Sequence, residues 1–278
     1  MPEVRTHRIR TAVGQLEVLD TGGDGPVAVL WHSLFVDNRS WSRVRPELET
    51  DRRLILITGP GHGASGDPGR RYTMADCADA AITVLDALGV DAPVDWLGNA
   101  WGGHIGILVA VGRPDRIRTL TTVGTPVHAY PRRERGKVHL LLALHRLVGP
   151  TTFLTGSVVD VLLSPATRRT DPQAVTLVAN GFREADRVGM RNAVVGISLH
   201  RPDLTPELPR IQAPTLFVTG ADHADWTPEK ARAAVRHLRR GEVAVLDGSA
   251  YLGPIEAPDD CVRIVREFWA RHAAPAKA

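Results

Sequence analysis

The segment "WLGNAWGG", residues 96–103, decides the fold that we predict for this chain. It completes a short apolar run, "PVDWLG", and leads into an apolar stretch of helix length that begins at Trp101. Gly98, Gly102 and Gly103 suit a tight turn in which a helix packs close to neighbouring strands. The spacing therefore predicts a strand, a strained turn with Ala100 at its apex, and a helix.

Other short apolar runs along the chain extend this pattern. They are "VAVLWH" (27–32), "RLILIT" (53–58), "IRTLTTVG" (117–124), "PTLFVTG" (214–220) and "EVAVLDG" (242–248). Such near-continuous runs are typical of strands buried on both faces. Amphipathic stretches of helix length alternate with them at 74–88, 101–111, 228–238 and 258–270. The alternation predicts an α/β fold with a mostly parallel sheet flanked by helices.

Two segments depart from the alternation. The N-terminal "RIRTAVGQLEVLDTG" alternates in polarity and predicts an antiparallel hairpin at the sheet edge. Between Pro126 and Pro214 the chain has helical periodicity and no convincing strand. Because a structureless loop of that length is improbable in a compact domain, we predict a helical insertion. The expected division is an α/β core of residues 1–126 and 206–278 with a helical cap at 127–205.

The composition excludes several classes of protein. The 278 residues are 43% hydrophobic and 23% charged, which is ordinary for a globular protein. The net charge of +3 is spread along the chain, so nucleic acid is not an expected partner. No apolar run reaches the roughly 18 residues of a membrane span, and no secretory leader pattern is present, so we expect a cytoplasmic protein without membrane contact. A homodimer is left open.

The sequence also lacks the usual signatures of cofactor and metal sites. Cys77 and Cys261 belong to no CxxC or metal-ligand spacing, which fits a reducing compartment. No P-loop, dinucleotide fingerprint or cluster of metal-ligating residues is found. We therefore expect neither a cofactor nor a metal, and a small organic molecule as the partner.

Several motifs occur in the order found in the α/β-hydrolase superfamily, which the chain resembles over residues 10–272. "LWHSLFVDNRSW" resembles the His-Gly oxyanion loop, and "ITGPGHGASGDP" resembles the Gly-His-Gly-x-Ser loop after the next strand. "APTLFVTGADHADWTPE" and "LDGSAYLGPIEAPDD" resemble the two late loops that deliver the catalytic acid and histidine. The resemblance implies the α/β-hydrolase fold with a helical cap after the sixth strand.

The catalytic positions that the resemblance implies hold unexpected residues. The nucleophile position is Ala100, the acid position is His223 and the general-base position is Tyr251. A serine mechanism needs a hydroxyl, a base that takes its proton and a carboxylate that orients the base. Asp222 and Asp225 flank the acid position, but without serine and histidine they would orient nothing. Three coincident departures favour a natural sequence that lacks the triad over one engineered Ser-to-Ala change.

The binding side of the site is better preserved in the resemblance. Leu34 and Trp101 would supply the two backbone N–H groups of the oxyanion hole, although Ser33 replaces a family glycine and is expected to alter the backbone path. Asn99 and Asp222 are further candidate binding residues. "Asn-Ala-Trp-Gly" also resembles the elbow of epoxide hydrolases and haloalkane dehalogenases, with alanine in place of their aspartate. Trp101 is then either a packing residue or a donor to the ligand.

Histidines are the remaining candidates for chemistry. His32 is kept as a candidate catalytic residue, although a structural role is the usual one at this loop, and His62 and His104 are expected to be structural. His223 and Tyr251 would form a general acid–base pair if they lie within reach of each other.

Three functions follow from these observations. By resemblance, the chain is hydrolase-like and acts on an ester-, lactone- or epoxide-like molecule, although serine hydrolysis is not predicted. The first alternative is a non-catalytic pseudoenzyme that binds a small molecule. The second is a lyase or isomerase that uses His223 and Tyr251.

Overall fold

The computed structural model describes residues 3–273, and within them a single eight-stranded sheet forms the centre of the molecule. The strands are β1 (Arg5–Thr11), β2 (Gly14–Asp20), β3 (Val27–Trp31), β4 (Arg53–Ile57), β5 (Val94–Asn99), β6 (Ile117–Val123), β7 (Thr215–Gly220) and β8 (Gly241–Leu246). Each predicted apolar run forms a strand within two residues of its expected bounds.

The strand order is β1-β2-β4-β3-β5-β6-β7-β8. The N-terminal hairpin lies at one edge, as predicted, with β2 antiparallel to β4. Strands β3 to β8 run parallel to one another, so their carboxyl ends meet at the same edge of the sheet. Ligands of open parallel sheets bind outside these ends, which is where Ala100 follows β5.

Helices cover both faces of this sheet. They are α1 (Arg45–Leu48), α2 (Met74–Ala87), α3 (Trp101–Gly112), α9 (Pro228–Val235), α10 (Gly253–Glu256) and α11 (Pro258–Arg271). One apolar cluster joins α2 and α3 to Trp31 and Trp96, and a second joins α11 to Leu30 and Leu97. Because β3 and β5 contribute to both clusters, these strands need the continuous apolar runs that the sequence shows. The predicted fold class is confirmed.

A set of helices connects β6 to β7, where the sequence predicts an insertion. It consists of α4 (Arg132–Val148), α5 (Thr152–Leu162), α6 (Pro165–Thr170), α7 (Pro172–Glu184), α8 (Arg187–Ala193) and a π-helix (Val194–Leu199). We call residues 132–199 the inserted helices. Asp171 caps α7 through the backbone N–H of Ala174 and also pairs with Arg43 of the core, which ties the inserted helices to the sheet domain. The division at 127 and 205 stays a prediction.

No helix in the described part of the chain combines the length and the apolar character that crossing a membrane requires.

Candidate functional site

A sharp turn joins β5 to α3 and places Ala100 at its apex. Ala100 has φ 45° and ψ −98°, a backbone conformation that non-glycine residues rarely adopt and that costs about 1–3 kcal/mol. The turn is held by a 2.7 Å hydrogen bond from the Ala100 N–H to the Val123 carbonyl. A Cβ at Gly98 would overlap the backbone of Gly102, so the helix approaches the strand as closely as the glycine pattern predicts.

Two backbone donors beside this turn are free. Leu34 and Trp101 both line a cavity above Ala100. Neither of their N–H groups donates a hydrogen bond to another group within residues 3–273. Unpaired N–H groups next to the nucleophile position are the arrangement that stabilises a carbonyl oxygen as it gains negative charge.

Two histidines fix the loop that carries Leu34. His32 donates from Nδ1 to the Ser33 carbonyl at 2.7 Å, and its Nε2 accepts from the Gly59 N–H at 2.8 Å. His62 accepts from the Phe35 N–H at 3.3 Å. Both nitrogens of His32 are engaged by the backbone, which favours a structural role, and the catalytic role of His32 stays a prediction. Phe35, with φ 69°, is the residue of this loop that adopts a positive φ.

His223 and Tyr251, which the resemblance assigns to the acid and base positions, lie in contact as a tilted ring pair. Their ring centroids lie 3.6 Å apart with an interplanar angle of 35°. The Nδ1 of His223 accepts from the Trp226 N–H at 2.9 Å and the Asp225 N–H at 3.2 Å, so the proton resides on Nε2. Burial lowers the pKa of His223 to about 4 and raises the pKa of Tyr251. Nδ1 of His223 is engaged by the backbone and the phenol of Tyr251 is not basic, so neither ring offers a basic atom to a ligand at neutral pH.

Of three other candidate binding residues, Trp101 lines the cavity, whereas Asn99 and Asp222 do not. Asn99 donates to the carbonyls of Val123 and Tyr251 at 2.9 and 2.8 Å, so its amide holds the backbone and does not line the cavity. Asp222 is exposed and lies outside the cavity wall. The Trp101 indole packs edge-on against Trp31 with ring centroids 5.6 Å apart, which favours the packing interpretation of this side chain.

The cavity has a volume of about 290 Å³ and lies between the turn at Ala100 and the inserted helices. Five predicted residues line it, namely Ser33, Leu34, Ala100, Trp101 and Tyr251. The inserted helices contribute a mostly apolar wall that includes Leu142, Leu154, Val158, Phe182, Met190, Val194 and Ile197. His32 and His223 lie behind the wall and do not line it. A small apolar molecule fits this lining.

The sequence did not show which charged side chains line this cavity. Arg201 and Asp225 line it, with 3.6 Å between the guanidinium Nη2 and a carboxylate oxygen. His128 lies 2.9 Å from the other oxygen of Asp225. Burial opposes ionisation of Asp225, but the hydrogen bond with His128 and the charge of Arg201 lower its pKa to about 2. Arg201 was one of many arginines in a helical stretch, and only its burial singles it out.

Buried histidines around the turn make the stability of the protein depend on pH. Burial lowers the pKa of His32 and His104 to about 3 and of His223 to about 4. In the unfolded chain these groups titrate near pH 6.5, so below that pH the unfolded state binds more protons and the folded state loses stability. Each group contributes a slope of about 1 kcal/mol per pH unit between pH 6.5 and its folded pKa.

We therefore expect urea unfolding to show a falling free energy of unfolding between pH 6.5 and 5, with full stability retained above pH 7. His104 donates from Nε2 to the Pro126 carbonyl at 2.8 Å, and a glutamine amide can replace that donor. His104→Gln should reduce the slope by about 1 kcal/mol per pH unit. His237→Gln, at an exposed histidine, is the control and should leave it unchanged. An unchanged slope in His104→Gln would contradict the assignment of part of the pH dependence to His104.

Among residues 3–273, no three His, Cys, Asp or Glu side chains are grouped so that they could hold a metal ion.

The family follows from a match along most of the sequence. The sequence model of the Alpha/beta hydrolase family matches residues 28–264, which include the turn at Ala100, the oxyanion loop and both late loops. The chain belongs to the alpha/beta hydrolase family. This hydrolase-family protein is 25% identical over 265 residues to a pyrrolizixenacetamide deacetylase from Xenorhabdus hominickii, covering 91% of this chain and 94% of that protein. It is also 25% identical to a 2-hydroxy-6-oxononadienedioate/2-hydroxy-6-oxononatrienedioate hydrolase from Burkholderia vietnamiensis, over 97% of this chain and 92% of that protein.

Solved structures agree with this family assignment. A thermophilic esterase from Thermogutta terrifontis superposes with a TM-score of 0.89 at 24% identity, over 97% of this chain and 100% of the esterase. An enol-lactonase from Burkholderia xenovorans superposes with a TM-score of 0.85 at 24% identity, over 94% of this chain and 99% of the lactonase. At these identities the likeness concerns the fold, and the site must be judged on its own residues.

Proposed function

We propose that this hydrolase-like protein binds a small, largely apolar carbonyl compound above Ala100 and does not hydrolyse it through a serine nucleophile. The observation that carries the proposal is the methyl group of Ala100 at the apex of the turn, beside the unpaired N–H groups of Leu34 and Trp101. The donors can hold a carbonyl oxygen, but no hydroxyl at position 100 can attack its carbon.

The surrounding side chains do not replace the missing nucleophile. An alternative route needs a base that activates water near the bound carbonyl. Nδ1 of His104 is free, but burial and the charge of Arg201 lower the pKa of this histidine to about 3, so it is a weak base. The carboxylate of Asp225 is already hydrogen-bonded with His128, and its pKa of about 2 makes it a weaker base than His104. The site therefore favours binding over bond cleavage.

The names of the relatives support a carbonyl compound as the ligand. One relative is called a deacetylase, and structural neighbours are an esterase and an enol-lactonase. Enzymes with such names act on acyl compounds. The carbonyl oxygen of an acyl compound is the group that two backbone N–H donors would hold. An ester- or lactone-like ligand is therefore the first class to test.

The geometry gives no support to proton abstraction by His223 and Tyr251. A general base must present a free lone pair to the ligand, whereas Nδ1 of His223 accepts two backbone hydrogen bonds. The phenol ring of Tyr251 lies against the imidazole, with ring centroids 3.6 Å apart and a tilt of 35°. Lyase or isomerase chemistry by this pair would require both late loops to rearrange.

Two measurements on the same compounds test the proposed function. Phenyl acetate, γ-butyrolactone and styrene oxide are incubated with the protein, product is followed by mass spectrometry, and binding is followed by calorimetry. We expect saturable binding of at least one ester or lactone, with no product above a buffer blank. Product well above the blank would contradict the loss of hydrolysis, and an absence of all binding would contradict the binding function.

A matched pair of substitutions locates that binding. Ser198 lines the cavity from the π-helix, so Ser198→Phe should fill part of the 290 Å³ and weaken binding at least about tenfold. Ser42 is exposed and does not line this cavity, so Ser42→Phe should bind as the wild type does. Equal binding by the two variants would place the ligand elsewhere.

A further inference from the structure

Arg201 is the residue of the cavity that packing alone does not explain. Its side chain is 6% exposed and follows the π-helix that contributes Val194 and Ile197 to the apolar wall. Nε donates to the His128 carbonyl at 2.8 Å, but neither terminal nitrogen donates a hydrogen bond within residues 3–273. Buried guanidinium groups normally have their donors satisfied, because leaving them unpaired is unfavourable.

Asp225 does not fully balance this charge. The distance of 3.6 Å between Arg201 and Asp225 is too long for a hydrogen bond. Asp225 also lies 3.7 Å from the Lys230 ammonium and is hydrogen-bonded with His128. Arg201 and Lys230 therefore share one carboxylate. Burial lowers the pKa of Arg201, yet a guanidinium stays protonated at neutral pH. The group around Asp225 therefore carries net positive charge.

Apart from Arg201 and Asp225, the described residues that line the cavity carry no formal charge. Burial lowers the pKa of both lining histidines, His104 and His145, so they are neutral at pH 7. The remaining lining is apolar side chains, a few hydroxyls and the phenols of Tyr130 and Tyr251. An apolar cavity with one under-compensated guanidinium selects a molecule that is apolar over most of its length and anionic at one end.

We propose that the cavity takes an amphiphilic monocarboxylate, with its carboxylate on the terminal nitrogens of Arg201 and its apolar part against the inserted helices. The planar guanidinium suits the two oxygens of a carboxylate. A phosphate group would need further cationic donors, which the lining of this cavity does not supply. This proposal rests on the proposed binding function and adds the chemical class of the ligand.

A pair of probes isolates the charge. Octanoate and octanamide have the same number of non-hydrogen atoms and the same alkyl chain, so they differ essentially in the anionic group. Calorimetry at pH 7.5 should show octanoate binding at least about tenfold more tightly than octanamide, because a charge-assisted hydrogen bond is the stronger one. Equal affinities, or tighter binding of the amide, would overturn the proposal.

Substitutions assign the preference to Arg201. Arg201→Gln should bind the two probes equally, and Arg201→Lys should retain part of the preference for octanoate. Arg169→Gln changes an exposed arginine of α6 and should keep the full preference. A preference that survives in Arg201→Gln would overturn the assignment. If Arg201→Gln fails to fold, judged by circular dichroism, then Arg201→Lys and the wild-type comparison decide.

The outcomes separate this proposal from the binding function beneath it. If neither octanoate nor octanamide binds while phenyl acetate or γ-butyrolactone does, the carboxylate proposal fails and the carbonyl-binding function stands. If none of these compounds binds, both fail.

Discussion

Gly102→Ala is expected to abolish folding or to lower the free energy of unfolding by more than about 4 kcal/mol. Gly102 is the second residue of α3, and a Cβ built on it would overlap the carbonyl oxygen of Trp31 in the neighbouring strand. The backbone at Gly102 is held close to this strand, because the Gly102 N–H donates to the next carbonyl, that of His32, at 3.2 Å. Relief would require α3 to move away from the sheet centre, which is packed on both faces.

Gly112→Ala, in the last turn of the same helix, is the matched control. A Cβ at Gly112 meets no atom within 4 Å, and the residue has no positive φ. Alanine has the higher helix propensity, so this variant should equal the wild type or exceed it by up to about 1 kcal/mol. Urea unfolding and soluble yield of the two variants provide the comparison. Similar stability of Gly102→Ala and wild type would show that α3 packs less closely than described.

Rebuilding the triad is expected to create the hydrolase activity that, in our proposal, the wild type lacks. The variant Ala100→Ser/His223→Asp/Tyr251→His places a hydroxyl on the strained turn, a base in the late loop and a carboxylate beside it. Residues 223 and 251 are already in ring contact, so an imidazole at 251 would adjoin a carboxylate at 223. The unpaired N–H groups of Leu34 and Trp101 supply the oxyanion hole. Hydrolysis of phenyl acetate should rise at least about 100-fold above the wild type.

The double variant His223→Asp/Tyr251→His is the control for this gain. It carries the same loop changes but keeps the methyl group at position 100, so it should remain at the level of the buffer blank. A burst of phenol equal to the enzyme concentration would mark the acyl-enzyme in the triple variant. If the triple variant binds phenyl acetate but stays inactive, residue 251 does not reach residue 100, and the assignment of the base position is wrong.

The strain at Ala100 indicates that packing of the fold maintains the turn. Ala100 adopts a φ of 45° although its side chain is a methyl group. The Val123 carbonyl accepts from the Ala100 N–H, and the glycines on either side allow the helix to approach. Backbone packing thus maintains a conformation that the side chain at position 100 does not require.

The predicted strands and the turn match the observed ones because they depend on residues that are close together in the sequence. Continuous apolar runs such as 27–32 and 117–124 became central parallel strands, because only a strand covered on both faces buries every side chain. Gly98 and Gly102 identified the turn because no side chain fits there. The positions of Ala100, Leu34 and Tyr251 at the cavity followed from their order along these elements.

The roles of polar side chains could not be predicted in the same way. His32 and Asn99 were candidates for contact with a ligand, yet backbone groups from distant segments use their polar atoms. Asp225 lines the cavity while Asp222, three residues earlier, points to solvent. Which of these two carboxylates enters the cavity depends on hydrogen bonds across the loop, such as those that Nδ1 of His223 accepts.

The sequence by itself determined the sheet, the turn with alanine at position 100 and the helical insertion, because each depends on residue type or on short-range spacing. Only the tertiary structure decided which charged side chain enters the cavity. In the sequence, Arg201 lies 24 positions from Asp225 and 101 positions from Ala100. Their proximity depends on how the inserted helices pack over the sheet, and helical periodicity alone does not specify that packing.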